Sequence, residues 1–335
     1  MASIREVAKI AGVSPATVSR VMNGTANVDD EKRARVLSAI SETGFIPNEV
    51  ARSLFKKSAK TIGLIVPSIE NAFFTKLSRV IEEVADKNGY RLLLCNAGRD
   101  AEKEKSLIQM MISMNVDGII VTTSNEELRP ILNECNIPIV VTDRGPEKLM
   151  NCDYVHADHY AGGRMAVKHL IDCGCINIVC IRGPVGVSSA DERFRGYTDV
   201  CREYGMEERV IECDYDFQAG LKATEEILKK HPDVDGIVAC NDMVAISVYK
   251  QLHRSEIAVP GQVQVVGYDD INLASLVTPE LTTVAQPVEE IGRKAAELII
   301  NKNMAEKREY VFGVKLIERE TTKKEEKDEK TGDSE

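Results

Sequence analysis

The stretch SIREVAKIAGVSPATVSRVMNG, residues 3–24, decides how the rest of the chain is read. Ser3 stands where a helix wants its N-cap, and Ile4, Val7, Ala8 and Ala11 recur at spacings of three and four, which puts them on one buried face. Gly12 stops that helix. Ser14 and Pro15 start a second, because proline in the first helical position costs no hydrogen bond; Val18, Val21 and Met22 face inward and Asn23-Gly24 closes it. A third helix is expected from Asp29, with Val36, Leu37 and Ile40 toward the core and Gly44 as its stop. Two short helices joined by Ala-Gly-Val-Ser and backed by a third form a helix-turn-helix, whose second helix can enter a DNA major groove. On that docking Pro15, Ala16 and Arg20 face base edges, while Ser14, Thr17, Ser19 and Asn23 position the helix on the phosphates. Arg20 can pair bidentately with guanine, worth about 1–3 kcal/mol of discrimination.

Charge points the same way. Residues 1–60 carry ten Lys and Arg against six acids, a net +4, so the other 275 residues hold the remaining −14 of the overall −10. A basic head on an acidic body meets a polyanion with the head alone. With 43% hydrophobic and 29% charged residues the whole chain has ordinary globular composition, and 335 residues call for two or three domains. Apolar runs such as Ile62–Pro67 are only strand length, which excludes a membrane span, and the N-terminus has no signal-peptide pattern, so a cytoplasmic, nucleoid-associated protein is expected. The nine cysteines include no Cys-x-x-Cys pair and read as reduced and structural. Neither Cys173-Gly174-Cys175 nor His156 with His159 has the ligand set of a metal site, and no metal or cofactor is expected.

Val7 to Asn23, together with Pro47-Asn48-Glu49-Val50-Ala51-Arg52-Ser53-Leu54, closely resembles the headpiece and hinge of the lactose and galactose repressor family, and the resemblance runs to about Thr322. It implies a homodimer on palindromic operator DNA, with Asn48, Ala51, Arg52 and Leu54 at the hinge and Leu54 wedged into a minor-groove step. An apolar wedge unstacks and kinks the duplex at a cost of a few kcal/mol, recovered through contacts that bent DNA permits. A hinge helix of about nine residues is too short to persist alone, so it responds to its surroundings.

From Thr61 onward, short apolar runs alternate with amphipathic stretches, the pattern of parallel sheets with helices on both faces. Asp117-Gly-Ile-Ile-Val and Asp235-Gly-Ile-Val-Ala recur in corresponding places, so two similar lobes are expected. The expected fold is therefore α/β: a helix-turn-helix headpiece (1–47), a hinge (48–60), and a two-lobed, doubly wound, periplasmic-binding-protein-like body. Its N-terminal lobe takes 61–158 and about 288–309, its C-terminal lobe 159–287 and about 310–321. The Lys- and Glu-rich segment from Thr321 or Thr322 to Glu335 is expected to be a disordered tail.

Ligands of doubly wound lobes bind at the carboxyl ends of the strands. Those ends carry Asn71, Phe73 and Phe74, then Asp143 and Arg144, then Arg193, Phe217, Asn241, Asp269 and Gln286. Carboxylates, amides and arginines suit a ring of hydroxyls, and aromatic faces suit its C–H surfaces. The same positions resemble the pentose ligands of ribose repressors and of the periplasmic ribose receptor, which implies D-ribose or a related pentose as effector. No Gly-x-Gly-x-x-Gly after a strand, Walker loop or Gly-x-Ser-x-Gly elbow is present, so no catalytic residue is assigned and an enzyme is not expected. The alternative within the family is a catabolite-control regulator whose corepressor is a phosphorylated carrier protein.

Overall fold

The computed structural model describes residues 2–22, 28–45, 58–98, 100–146, 151–301 and 308–323. The chain divides into two units, one ending at Ala59 and the other starting at Lys60.

The head has helices α1 (Ile4–Ala11), α2 (Pro15–Met22) and α3 (Asp30–Thr43). Ser3 and Glu6 form a reciprocal capping box on α1, and Gly12 leaves it at φ 66°, a conformation that a side chain disfavours. Val7, Ala8, Ala11, Val18, Val21, Val36 and Ala39 make the core. The expectation for Leu37 fails: it is 54% exposed and Ala39 takes the inward place, because the three-residue step from Val36, not the adjacent position, stays on the buried stripe.

The body holds two six-stranded sheets of matching topology. The first is laid down by β1 (Thr61–Val66), α4 (Ala72–Lys87), β2 (Arg91–Asn96), α5 (Ala101–Ser113), β3 (Gly118–Val121), α6 (Arg129–Glu134), β4 (Ile139–Thr142) and β5 (Asp153–Ala157). The second follows with α7 (His159–Asp172), β6 (Ile178–Arg182), α8 (Ser188–Tyr204), β7 (Arg209–Glu212), α9 (Phe217–Lys230), β8 (Gly236–Ala239), α10 (Asp242–Arg254), β9 (Gln264–Asp269) and β10 (Thr282–Ala285). Helix α11 (Val288–Asn301) returns to pack on α4, and β11 (Glu309–Phe312) and β12 (Lys315–Ile317) add one edge strand to each sheet. The orders are β11-β5-β4-β3-β1-β2 and β12-β10-β9-β8-β6-β7; all pairs are parallel except β10 with β12.

The repeated Asp-Gly motifs open β3 and β8, which occupy equivalent places in the two sheets. Each aspartate also ties down the start of a neighbouring strand: Asp117 accepts from the Thr61 amide at 3.4 Å, and Asp235 from the amides of Ile176 and Asn177 at 2.9 and 2.8 Å.

Two expected boundaries move. Residues 310–312, expected in the C-terminal lobe, pair with β5 in the first sheet, where Tyr310 and Phe312 pack against that lobe's core. The crossing back therefore falls at Gly313 and Val314. The expected tail starts too early, since Thr321 and Thr322 are buried. Thr321 donates to the Val265 carbonyl at 2.7 Å and accepts from the Thr282 amide at 2.9 Å, while the Thr322 hydroxyl lies 2.9 Å from His169 Nε2. Threonine is polar by composition, but here both hydroxyls are satisfied internally. Residues 324–335 lie outside the described residues.

Gly163 allows α7 and α8 to meet: a Cβ there would stand 2.1 Å from the Arg193 carbonyl oxygen, a backbone atom that cannot step aside. Gly163→Ala should cost about 1–3 kcal/mol by overpacking, a fall in melting temperature of roughly 2–12 °C by calorimetry. An unchanged melting temperature would show that this contact does not constrain the helix pair.

Candidate functional site

In the head, Pro15, Ala16 and Arg20 are exposed along α2, and Thr17 and Ser19 are partly so. Ser14 is committed locally: its Oγ accepts the Thr17 amide at 3.2 Å and lies 2.9 Å from the Thr17 hydroxyl, so it caps the helix. The exposed row is available for docking from the helix N-terminus onward. Asn23, Asn48, Ala51, Arg52 and Leu54 lie outside the described residues.

In the body, all ten residues picked from strand ends line one cleft of about 500 Å³ between the lobes, a volume suited to a small ligand. The first lobe supplies Asn71, Phe73, Phe74, Asp143 and Arg144; the second supplies Arg193, Phe217, Asn241 and Asp269; Gln286 sits on the crossover between β10 and α11. Phe73 and Phe74 meet edge to face with centroids 5.1 Å apart. Asn71 and Asn241 do cap their helices, accepting from the amides of Phe73 (2.9 Å) and Val244 (2.8 Å). Capping engages only the amide oxygen, so each NH₂ group keeps its donors.

Asp143 and Asp269 are buried and lie at φ 62° and 109°. Such backbone in a non-glycine residue costs on the order of 1–3 kcal/mol and persists where the surroundings impose it. Arg193 donates to the Cys240 carbonyl at 2.8 Å, stacks 3.6 Å over the Tyr268 ring, and approaches Asp269 Oδ1 at 3.7 Å. Gln286 donates to the same Asp269 oxygen at 2.7 Å. Three polar atoms of the cleft, Asp143 Oδ1, Arg144 Nε and Gln286 Oε1, are buried with no hydrogen-bond partner among the described residues. Buried polar atoms left in that state are costly, and a polyhydroxylated ligand supplies what they lack.

Burial raises the carboxyls of both aspartates above their ordinary range. For Asp143 the neighbouring Arg144 and Arg193 oppose the shift; for Asp269, which reaches about 6, Arg193 and Gln286 do so. Burial likewise pushes the Tyr215 phenol up to about 12, so it enters the cleft as a neutral hydroxyl.

Tyr215, Asp216, Gln218, Ser189, Met243 and Ile271 also line the cleft and were not expected there. Tyr215 was within reach of the strand-end rule, standing two residues before Phe217. It fits because Gly183 opposite has no side chain: a Cβ there would be 2.5 Å from the Tyr215 hydroxyl oxygen. His156 and His159 do not share a ligand; His156 Nε2 faces Glu309 at 2.8 Å and His159 Nε2 faces the Asp143 carbonyl at 3.0 Å. No group of three or more His, Cys, Asp or Glu side chains arranged to hold a metal occurs among the described residues.

The raised Asp269 carboxyl makes a signed prediction. Between its ordinary 3.8 and about 6 the folded state holds a proton that the unfolded state has lost, so stability should fall as pH rises through that window and stay lowered above it. Asp269→Asn should flatten this slope and, without ligand, stabilise the protein at pH 7 by on the order of 1–3 kcal/mol, read by thermal melts at pH 4–7. A parent and variant with the same slope would contradict the assignment.

Residues 3–48 match the family described as bacterial regulatory proteins, lacI family, and residues 62–307 match the periplasmic binding protein domain. The ribose operon repressor of Halalkalibacterium halodurans is 40% identical over 326 residues, 96% of this chain and 98% of that protein. Among solved structures, a periplasmic binding protein/LacI transcriptional regulator from Alkaliphilus metalliredigens complexed with D-xylulofuranose is 36% identical at a TM-score of 0.71, covering 79% of this chain and 100% of its own. A LacI family transcriptional regulator from Enterococcus faecium with bound ribose is 28% identical at a TM-score of 0.71, covering 78% of this chain and 98% of its own. Head and body together, the chain belongs to the lacI family of bacterial regulatory proteins, with a periplasmic-binding-protein-like body.

Proposed function

We propose that this DNA-binding, sugar-responsive repressor, which is not an enzyme, controls a ribose-utilisation operon and takes D-ribose or a close pentose in its cleft. The carrying observation is the converging polar set itself. Asp143, Asp269, Arg144, Arg193 and Gln286 converge from both lobes on a space of about 500 Å³, with several of their atoms lacking partners among the described residues. A pentose offers hydroxyls that donate to the two carboxylates and the Gln286 oxygen and accept from the guanidinium groups, while the phenyl groups cover its C–H faces. The identity to a ribose operon repressor and the pentoses named in two related structures support the same ligand class.

In this reading, two copies of the chain place their heads on a palindromic operator in the cytoplasm, in association with the nucleoid. Arg20, Pro15 and Ala16 read bases, and Ser14, Thr17, Ser19 and Asn23 set the helix on the backbone. Asn48, Ala51, Arg52 and Leu54 engage the minor groove, with Leu54 as the wedge. Ribose closing the lobes alters the spacing of the paired hinges and weakens operator binding.

Calorimetry tests the pocket. Arg144→Ala should weaken D-ribose binding roughly 5- to 150-fold, the effect of leaving about 1–3 kcal/mol of buried polar surface unpaired, and equal heats from variant and parent would overturn the assignment. Tighter binding of D-xylulose than D-ribose would move the effector to a ketopentose. For the head, operator affinity should fall steeply with salt and fall further in Leu54→Ala. An operator complex that ignores pentoses and forms only with a phosphorylated carrier protein would replace this reading.

A further inference from the structure

We propose that His159 is the positioning residue that locks the two halves of the effector site together, one ring nitrogen holding the Asp143 main chain of the first lobe and the other holding the Arg193 guanidinium of the second. The proposal rests on the pentose-site reading above and adds a residue that does not itself line the cleft.

His159 opens α7 immediately after the chain leaves the first sheet through β5, so it sits beside a crossover between lobes. Its side chain is buried, with the ring 6.2 Å from that of Tyr268. Nε2 lies 3.0 Å from the Asp143 carbonyl oxygen, and Nδ1 lies 3.3 Å from Arg193 Nε. A carbonyl can only accept and a guanidinium can only donate, so the two contacts require a neutral imidazole with its proton on Nε2 and a bare Nδ1. Burial, reinforced by Arg193, keeps the ring's proton affinity well below the usual histidine range, in agreement with that state.

The consequences for the site follow from what each contact fixes. Asp143 occupies φ 62°, and its main chain is held on both sides, the amide donating to Val155 at 3.1 Å and the carbonyl accepting from His159. That conformation sets where the Asp143 carboxylate stands. On the other side, Arg193 has its Nη1 on the Cys240 carbonyl and its plane on Tyr268, so the bond from Nε to His159 fixes the remaining edge. A guanidinium fixed on three sides presents itself to a ligand at little entropic cost. Among side chains of similar shape, phenylalanine keeps the packing and loses both bonds, whereas glutamine retains one donor and one acceptor.

The test combines ribose calorimetry with a double-mutant cycle. His159→Phe should weaken D-ribose binding about tenfold or more, the scale of one buried donor left unpaired, and His159→Gln should recover most of it. Paired with Arg193→Lys, His159→Phe should be strongly non-additive, both in ribose affinity and in the melting temperature of the sugar-free protein. A variant that melts earlier yet binds ribose like the parent, or a cycle that is additive, would reduce His159 to a packing residue and overturn the proposal. Should His159→Phe fail to fold, imidazole ¹⁵N shifts of the parent at pH 7, assigned with His159→Gln, decide it: a bare Nδ1 with protonated Nε2 supports the bridge, and a cationic ring or the opposite tautomer rejects it. If the parent binds no ribose, the effector reading falls, while the tautomer and the sugar-free cycle still decide the bridge.

Discussion

The structure depends on holding ionisable groups away from water where two parallel sheets turn the carboxyl ends of their strands toward a common cleft. Asp143 and Asp269 are buried, both on strained backbone, and Arg193 approaches Asp269 within the second lobe while Asp143 faces the cleft from the first. Left in a low-dielectric site without full partners, such groups cost stability, as the raised aspartate carboxyls record. A ligand that satisfies them recovers that cost only when both lobes contribute. Affinity and lobe geometry are thereby the same quantity, which is the requirement for a binding event in the body to be felt at a distance.

The scaffold shows how the balance is held. The doubled topology places β3 and β8 in equivalent positions, each with an aspartate tying down the start of a neighbouring strand, so both sheets are fixed by the same device at the ends away from the cleft. Asp242 extends this behind the second lobe: it is buried, accepts from the Ile271 amide at 2.8 Å and from the Thr283 hydroxyl, and so anchors the turn after Asp269. Gly163 and Gly183 then make room for Arg193 and Tyr215.

The sequence made much of this legible, because parallel strands buried on both faces read as apolar runs and their polar successors mark the carboxyl ends. The alternation expected from Thr61 onward appears as strands and helices in two matching sheets, and every residue taken from a strand end reaches the cleft. What was missed had weak local signals. β5 reads Asp-Tyr-Val-His-Ala and β11 and β12 are edge strands of four and three residues, so their identity comes from pairing partners far along the chain. Thr321 and Thr322 look like the start of a polar tail until the sheet provides partners for their hydroxyls. His159 lacked any motif, because its meaning lies in contacts to residues 16 and 34 positions away.

The central claim is that sugar binding in the cleft and operator binding by the head are thermodynamically linked. The direct measurement is the D-ribose affinity of the full chain, free and when saturated with operator, at one salt concentration. Linkage requires that operator weaken ribose binding by the same factor by which ribose weakens operator binding, typically about 5- to 150-fold. Equal ribose affinities in the two states would contradict the account.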